Sequence, residues 1–164
     1  MSENIEVLIS SGVTPVYSHP GDAGADLHSA EQLVLAPGTR ATVGTGVSIA
    51  LPNGYAAFVV PRSGLASTHG ITIVNSPGTV DAGYRGEIRV TLLNTDTQQP
   101  FVIEVGDRIA QLIVMPVGRA EFIPVDTLPG SHRGGSGFGS TGLRPANPAA
   151  GVLPTSATGS GVTS

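Results

Sequence analysis

Between residues 40 and 51 the odd positions are Ala41, Val43, Thr45, Val47, Ile49 and Leu51. The even positions are Arg40, Thr42, Gly44, Gly46, Ser48 and Ala50. Successive side chains of a strand point to opposite faces, so this period of two specifies a half-buried β-strand. Residues 87–92 repeat the pattern, with Ile88, Val90 and Leu92 set against Glu87, Arg89 and Thr91. Phe101, Ile103 and Val105 line one face of a further strand, and 109–114 is apolar enough to be buried on both faces. Strands are also expected near 5–9, 33–36, 55–60, 71–74 and 120–125. Turn residues separate them: Pro37-Gly38, Pro52-Asn53-Gly54, Ser76-Pro77-Gly78, Asp81-Ala82-Gly83 and Gly106-Asp107. No stretch holds a helical period over a dozen residues, and the best short helix lies at 63–68. Short strands divided by turns predict an all-β sandwich or barrel.

Composition narrows the chemistry. The 164 residues include 23 glycines and 13 prolines, which fits many turns and a biased tail. Residues 145–164 carry no charge and no aromatic ring, so they are expected to be disordered. There is no cysteine, which excludes disulfides, a thiolate nucleophile and Cys-bound metal. All eight basic residues are arginine, which excludes a Schiff base and the lysine of a Walker loop. The net charge of −4 argues against binding nucleic acid or membranes by bulk charge. The apolar run at 112–117 is too short to span a bilayer, and the N-terminus lacks a secretion pattern. The expected setting is therefore cytoplasmic.

Five polar stretches carry the candidate chemistry. Asp22-Ala23-Gly24-Ala25-Asp26-Leu27 is a cation site or a turn held by its own Asp side chains. Pro61-Arg62-Ser63-Gly64-Leu65-Ala66 follows an apolar strand. It is an anion site, or a helix start capped by Ser63. The third stretch, 75–87, holds Asn75, Gly78, Val80, Asp81, Tyr84, Gly86 and Glu87, and reads as a glycine-rich hairpin that a ligand can approach closely. In the fourth, 106–112, Gln111 stands among buried apolar residues and needs a partner from backbone or ligand. The fifth, 133–142, is a phosphate cradle without lysine or a flexible linker. Its Arg133 and Phe138 argue against a plain linker.

In this order, these stretches resemble the five motifs of the trimeric dUTPase family. The matching residues are Ala23-Gly24-x-Asp26-Leu27-x-x-Ala30, Pro61-Arg62-Ser63-Gly64-Leu65-Ala66, and Gly78-x-Val80-Asp81-x-x-Tyr84-Arg85-Gly86-Glu87. They continue with Gly106-Asp107-Arg108-Ile109-Ala110-Gln111-Leu112 and Arg133-Gly134-x-x-Gly137-Phe138-Gly139-Ser140-Thr141-Gly142. The resemblance implies a distorted jelly roll at 1–130, a flexible Gly-rich arm at 131–143 that closes over the substrate, and a tail at 144–164. It implies a homotrimer whose active sites are shared between subunits. The implied enzyme is a dUTP diphosphatase, releasing dUMP and pyrophosphate with Mg²⁺. Such an enzyme limits uracil in DNA and supplies dUMP for dTMP synthesis.

The same resemblance assigns roles. Asp81 is the general base for a water that attacks the α-phosphorus. Arg62, Ser63, Gly64, Gln111, Arg133, Gly139 and Ser140 hold phosphates. Asn75, Gly78, Val80, Tyr84 and Phe138 hold uracil and deoxyribose, with Tyr84 packed against the sugar. Asp26, and with it Asp22, serves the metal through water. The related dCTP deaminases are the nearest rival. They carry Arg-Ser-Ser in the second motif and a catalytic glutamate in the third, where this chain has Gly64 and Asp81.

Overall fold

The alternating stretch at 40–51 forms two strands rather than one. The computed structural model describes residues 4–131. In it, β4 (Arg40–Gly44) and β5 (Val47–Ala50) are separated by Gly46, whose φ of 66° lies in the left-handed region. Glycine takes that conformation without strain, so the chain turns there while the inward alternation continues on both sides. Val43, Thr45, Val47, Ile49 and Leu51 are all buried.

The other described elements are β1 (Leu8–Ser11), β2 (Ala25–His28), β3 (Leu33–Leu35), β6 (Tyr55–Val60), α1 (Ser63–His69), β7 (Ile71–Ile73), β8 (Gly78–Val80), β9 (Arg89–Asn94), β10 (Phe101–Ile103) and β11 (Arg108–Pro116). A four-stranded sheet has the order β2-β11-β6-β8, and a three-stranded sheet the order β4-β9-β7. Two smaller pairs, β1-β5 and β10-β3, complete the antiparallel set. One apolar cluster joins the sheets. Leu27, Val59, Ile109 and Leu112 enter it from the first, and Val43, Val90, Leu92 and Ile71 from the second. No helix among the described residues is long and apolar enough to cross a membrane.

Three further expectations change. Residues 25–28, read as part of a loop, are β2, because Ala25, Asp26 and Leu27 pair with β11 and are buried. In β11, Ile113 and Val114 are only partly covered, so burial on both faces is confined to its first half. The strand expected at 120–125 does not form: Phe122 is 91% exposed, and among the described residues nothing pairs with its backbone. An apolar sequence without a neighbouring edge has no ladder to join. By its contacts the chain divides into two units, one ending at Glu121 and the other beginning at Phe122.

Candidate active site

Asp26 is the centre of a buried polar knot. Its side chain is 3% exposed, on the strand directly opposite Gln111. Arg62 Nε and Gln111 Nε2 donate to its Oδ1 at 3.2 and 3.3 Å. Ser18 Oγ and Arg108 Nη1 donate to its Oδ2 at 3.0 and 3.2 Å. Burial pushes the Asp26 carboxyl up. The hydrogen bonds from Ser18, Gln111 and Arg108, with the Arg62 charge, outweigh it and hold the group below its ordinary value.

A β-bulge builds this knot. Residues three apart on a regular strand face opposite ways. The pairing of β11 with β2 shifts between Arg108 and Ala110, so that Arg108 stands opposite His28 and Gln111 opposite Asp26. The extra residue turns Arg108 and Gln111 to the same face, toward one carboxylate. It also makes two successive residues, Ile109 and Ala110, point inward, and both are buried. Gly24 completes the packing, because a Cβ there would come within 3.1 Å of Gln111 Cβ.

Arg62 sits just past β6 in extended backbone (φ −88°, ψ 125°) at the N-cap of α1, and its Nη1 also donates to the Arg108 carbonyl. No side chain caps the helix, so Ser63 is not the N-cap. Ser63 and Gly64 are exposed in its first turn. N–H groups in the first turn of a helix have no carbonyl a turn earlier to bond.

A second site lies along β8. A cavity of about 160 Å³ is lined by Asn75, Gly78, Val80, Asp81, Tyr84 and the segment 87–90. Asn75 Nδ2 lies beside Gly78, 3.4 Å from where a Cβ would stand. Among the described residues, the Asp81 carboxylate accepts no hydrogen bond, while its carbonyl accepts the Tyr84 N–H at 3.0 Å. The turn before β8 carries a cis Ser76–Pro77 bond.

The structure therefore groups the sequence candidates into two sets. Arg62, Ser63, Gly64, Gln111 and Asp26 gather at one end of β6, and Asn75, Gly78, Val80, Asp81 and Tyr84 line the cavity. Val80 stands opposite Ala57, and Asp81 follows it. Arg62 lies five residues along the chain from Ala57, about 17 Å at ~3.4 Å per residue. Asp22 is exposed and accepts the His19 N–H at 2.8 Å, apart from the Asp26 knot. Arg133, Phe138, Gly139 and Ser140 lie outside the described residues. Sequence reasoning gave Ser18 and Arg108 no role. Arg108 had a signal, a charge three residues before Gln111, but only the bulge reveals their shared target. Ser18 had none.

The dUTPase family model matches residues 11–142. The chain belongs to the dUTPase family. A deoxyuridine 5'-triphosphate nucleotidohydrolase of Leifsonia xyli subsp. xyli is 71% identical over 142 residues, covering 87% of this chain and 93% of that protein. The enzyme of the same name from Thermobifida fusca is 67% identical over 128 residues, covering 78% and 72%. Among solved structures, the Staphylococcus bacteriophage 80alpha dUTPase with dUPNHPP matches with a TM-score of 0.76 at 28% identity, covering 84% of this chain and 99% of that one. A mutant dUTPase from phage phi11 of S. aureus, whose structure concerns coordination of a structural Mg(II) ion, matches with a TM-score of 0.71 at 27% identity. It covers 76% of this chain and 99% of its own. The chain is thus a dUTP diphosphatase with the dUTPase jelly-roll fold, an enzyme of the family that hydrolyses dUTP to dUMP and pyrophosphate.

Proposed function

We propose that this dUTPase hydrolyses dUTP at sites assembled from more than one subunit. The separation of Asp81 from Arg62 and Gln111 carries this reading. A base acting at the α-phosphorus and donors holding the adjoining phosphates must lie within a few ångströms of one nucleotide. Along β6 the two sets stand about 17 Å apart within one chain at ~3.4 Å per residue, which favours a meeting of the cavity of one copy with the β6–α1 junction of another. Exposed apolar side chains on the single chain, including Leu8, Val16, Tyr17 and Phe122, support such an assembly. The family resemblance supports a homotrimer.

In this reading the cavity takes deoxyuridine. Asn75 and the backbone around Gly78 pair with the uracil edge, and Tyr84 packs against the deoxyribose. A site built to bond uracil leaves groups unpaired when offered cytosine. Asp81, exposed at the cavity rim, orients a water toward the α-phosphorus and takes its proton. Ser63, Gly64 and Gln111 of a neighbour bind the phosphate oxygens where charge develops. Arg133, Gly139 and Ser140 complete the phosphate contacts, and Phe138 covers uracil.

Among the described residues of one chain no cluster of three or more metal-ligating side chains exists, and the four donors on Asp26 fill about four carboxylate acceptor positions. The donor set does not fit a resident protein-caged metal. Magnesium instead belongs to the substrate, arriving with the triphosphate and neutralising its oxygens. Asp26 then acts mainly by ordering Arg62, Arg108 and Gln111. The enzyme works on the cytoplasmic nucleotide pool, limiting uracil in DNA and supplying dUMP for dTMP synthesis.

The test is pyrophosphate release from dUTP, dCTP, dTTP and UTP, with Mg²⁺ and with EDTA. Turnover of dUTP alone, abolished by EDTA, is expected. Asp81→Asn is expected to keep dUTP binding and lose most turnover, by about 10²-fold or more. Ammonia from dCTP would indicate a deaminase, and wild-type turnover by Asp81→Asn would remove the base assignment.

A further inference from the structure

Tyr84 is an aromatic side chain that remains 45% exposed, yet its ring is fixed from two sides. It lies directly over Gly86. A Cβ on Gly86 would fall 2.5 Å from the Tyr84 hydroxyl oxygen, 2.7 Å from Cζ and 3.1 Å from Cε2. No real side chain tolerates such contacts, so the ring can occupy this position only because residue 86 has no side chain. The hydroxyl meanwhile donates to the Glu87 carbonyl at 2.9 Å.

Glu87 is itself anchored. Its Oε1 accepts the Gly46 N–H at 2.8 Å, and its Oε2 accepts from Arg89 Nη1 at 3.1 Å. Arg89 Nη2 reaches on to Glu31 Oε1 at 3.0 Å and to the Thr42 carbonyl at 3.3 Å. Gly44 leaves room for this knot, since a Cβ there would stand 2.6 Å from Glu31 Oε1 and 2.7 Å from Glu87 Oε1. Next along the chain, Ile88 N–H donates to the Val47 carbonyl at 2.7 Å, and Thr45 Oγ1 donates to the Ile88 carbonyl at 2.6 Å. Residues 44–47 thus hold the carbonyl that holds the tyrosine.

We propose that Gly86 and Glu87 are positioning residues that seat the Tyr84 ring and thereby set discrimination between deoxyribose and ribose. The inference rests on the reading above that Tyr84 faces the sugar. An aromatic face pressed against C2′ has no partner for a 2′-hydroxyl and no space for one while the ring stays seated. A ring moved off its seat loses both the platform for deoxyribose and the barrier to ribose.

The test is kcat and KM for dUTP and UTP with the wild type, Gly86→Ala, Glu87→Ala and Glu87→Gln. Gly86 has no left-handed φ, and the three atoms nearest an added Cβ all belong to Tyr84. A displacement of about 1 Å is enough to cost on the order of 10²-fold in a positioned reaction. Gly86→Ala should lower kcat/KM for dUTP by about 10- to 100-fold and raise the UTP-to-dUTP ratio by about tenfold. Glu87→Ala should move the ratio the same way by less. Glu87→Gln, which can still accept from Gly46, should restore most of the wild-type ratio. Should Gly86→Ala not fold, the Glu87 pair decides the matter alone.

Equal losses for both substrates would mean a general structural defect, and an unchanged ratio would mean that the ring needs no seat. Either result overturns the proposal. A wild-type enzyme that failed to turn over dUTP would instead remove the underlying site reading, and this inference with it.

Discussion

A carboxylate that accepts from four donors is more valuable to the fold than its two oxygens suggest. Removing Asp26 leaves Arg62 and Arg108 converging with no counter-charge and leaves Gln111 without its acceptor. Breaking a buried pair in this way costs about 3–5 kcal/mol. Arg108 is 51% exposed and Arg62 22%, so both guanidinium groups can regain water, and Asp26→Ala should sit at the lower end, about 3 kcal/mol. Urea unfolding at fixed protein concentration would measure it, and a loss well under 1 kcal/mol would mean the knot contributes little. The same group gives the fold an acid limit. Asp26 and Glu87 both have carboxyls held below their ordinary values in the folded chain. For Asp26, donors outweigh burial; for Glu87, the Gly46 N–H leads and Arg89 assists. A lowered folded pKa stabilises above the unfolded value, near pH 4, and that stability is lost as pH falls through the folded value. Melting temperature should therefore drop steeply below about pH 4, and Asp26→Ala should flatten that dependence.

At the scale of elements, much of the fold is legible in the alternation because burial alone sets it. The strands expected near 55–60 and 71–74 form as β6 and β7, and the short helix expected at 63–68 forms as α1, although no helical period marks it. The elements that alternation misses depend on partners. β2 has the sequence Ala25-Asp26-Leu27-His28, whose buried aspartate looks like a loop residue until Arg62, Arg108 and Gln111 neutralise it. The β11 bulge leaves no periodic trace either, since Ile109 and Ala110 read as an uninterrupted apolar run. The failed strand at 120–125 is the converse case, with apolar residues in place but no edge among the described residues to pair with. Some element ends, by contrast, hang on one residue. α1 stops at Gly70, whose φ of 64° lets its N–H bond back to Ala66 and Leu65. Thr95 Oγ1 donates to the Gly70 carbonyl at 2.7 Å and would lie 2.8 Å from a Cβ at residue 70. Gly70→Ala combines a left-handed backbone with that clash and should cost about 2 kcal/mol. It should shift the denaturant midpoint without changing the slope. An unaffected midpoint would show that the helix end rearranges at little cost.

For the whole molecule, the motifs nominate candidate site residues, but spacing along a chain cannot reveal which of them meet within one copy. The sheet order decides that, by putting Asp81 beyond β8 and Arg62 and Gln111 at the far end of β6. If each site draws its base from one subunit and its phosphate donors from another, two differently damaged chains can repair each other. Asp81→Asn removes the base and leaves the β6–α1 junction intact. Ser63→Ala combined with Gln111→Ala removes phosphate donors and leaves the cavity intact. Each variant alone should be nearly inactive. When the two are unfolded together in equal amounts and refolded, a site works only where an intact cavity meets an intact junction. With random assortment that is about one site in four, so the mixture should recover up to about a quarter of wild-type activity. Simple mixing without unfolding should recover less, according to how slowly subunits exchange. A refolded mixture no more active than its components would show that each chain carries a complete site, and the separation seen within one copy would then have to close by a rearrangement of β8.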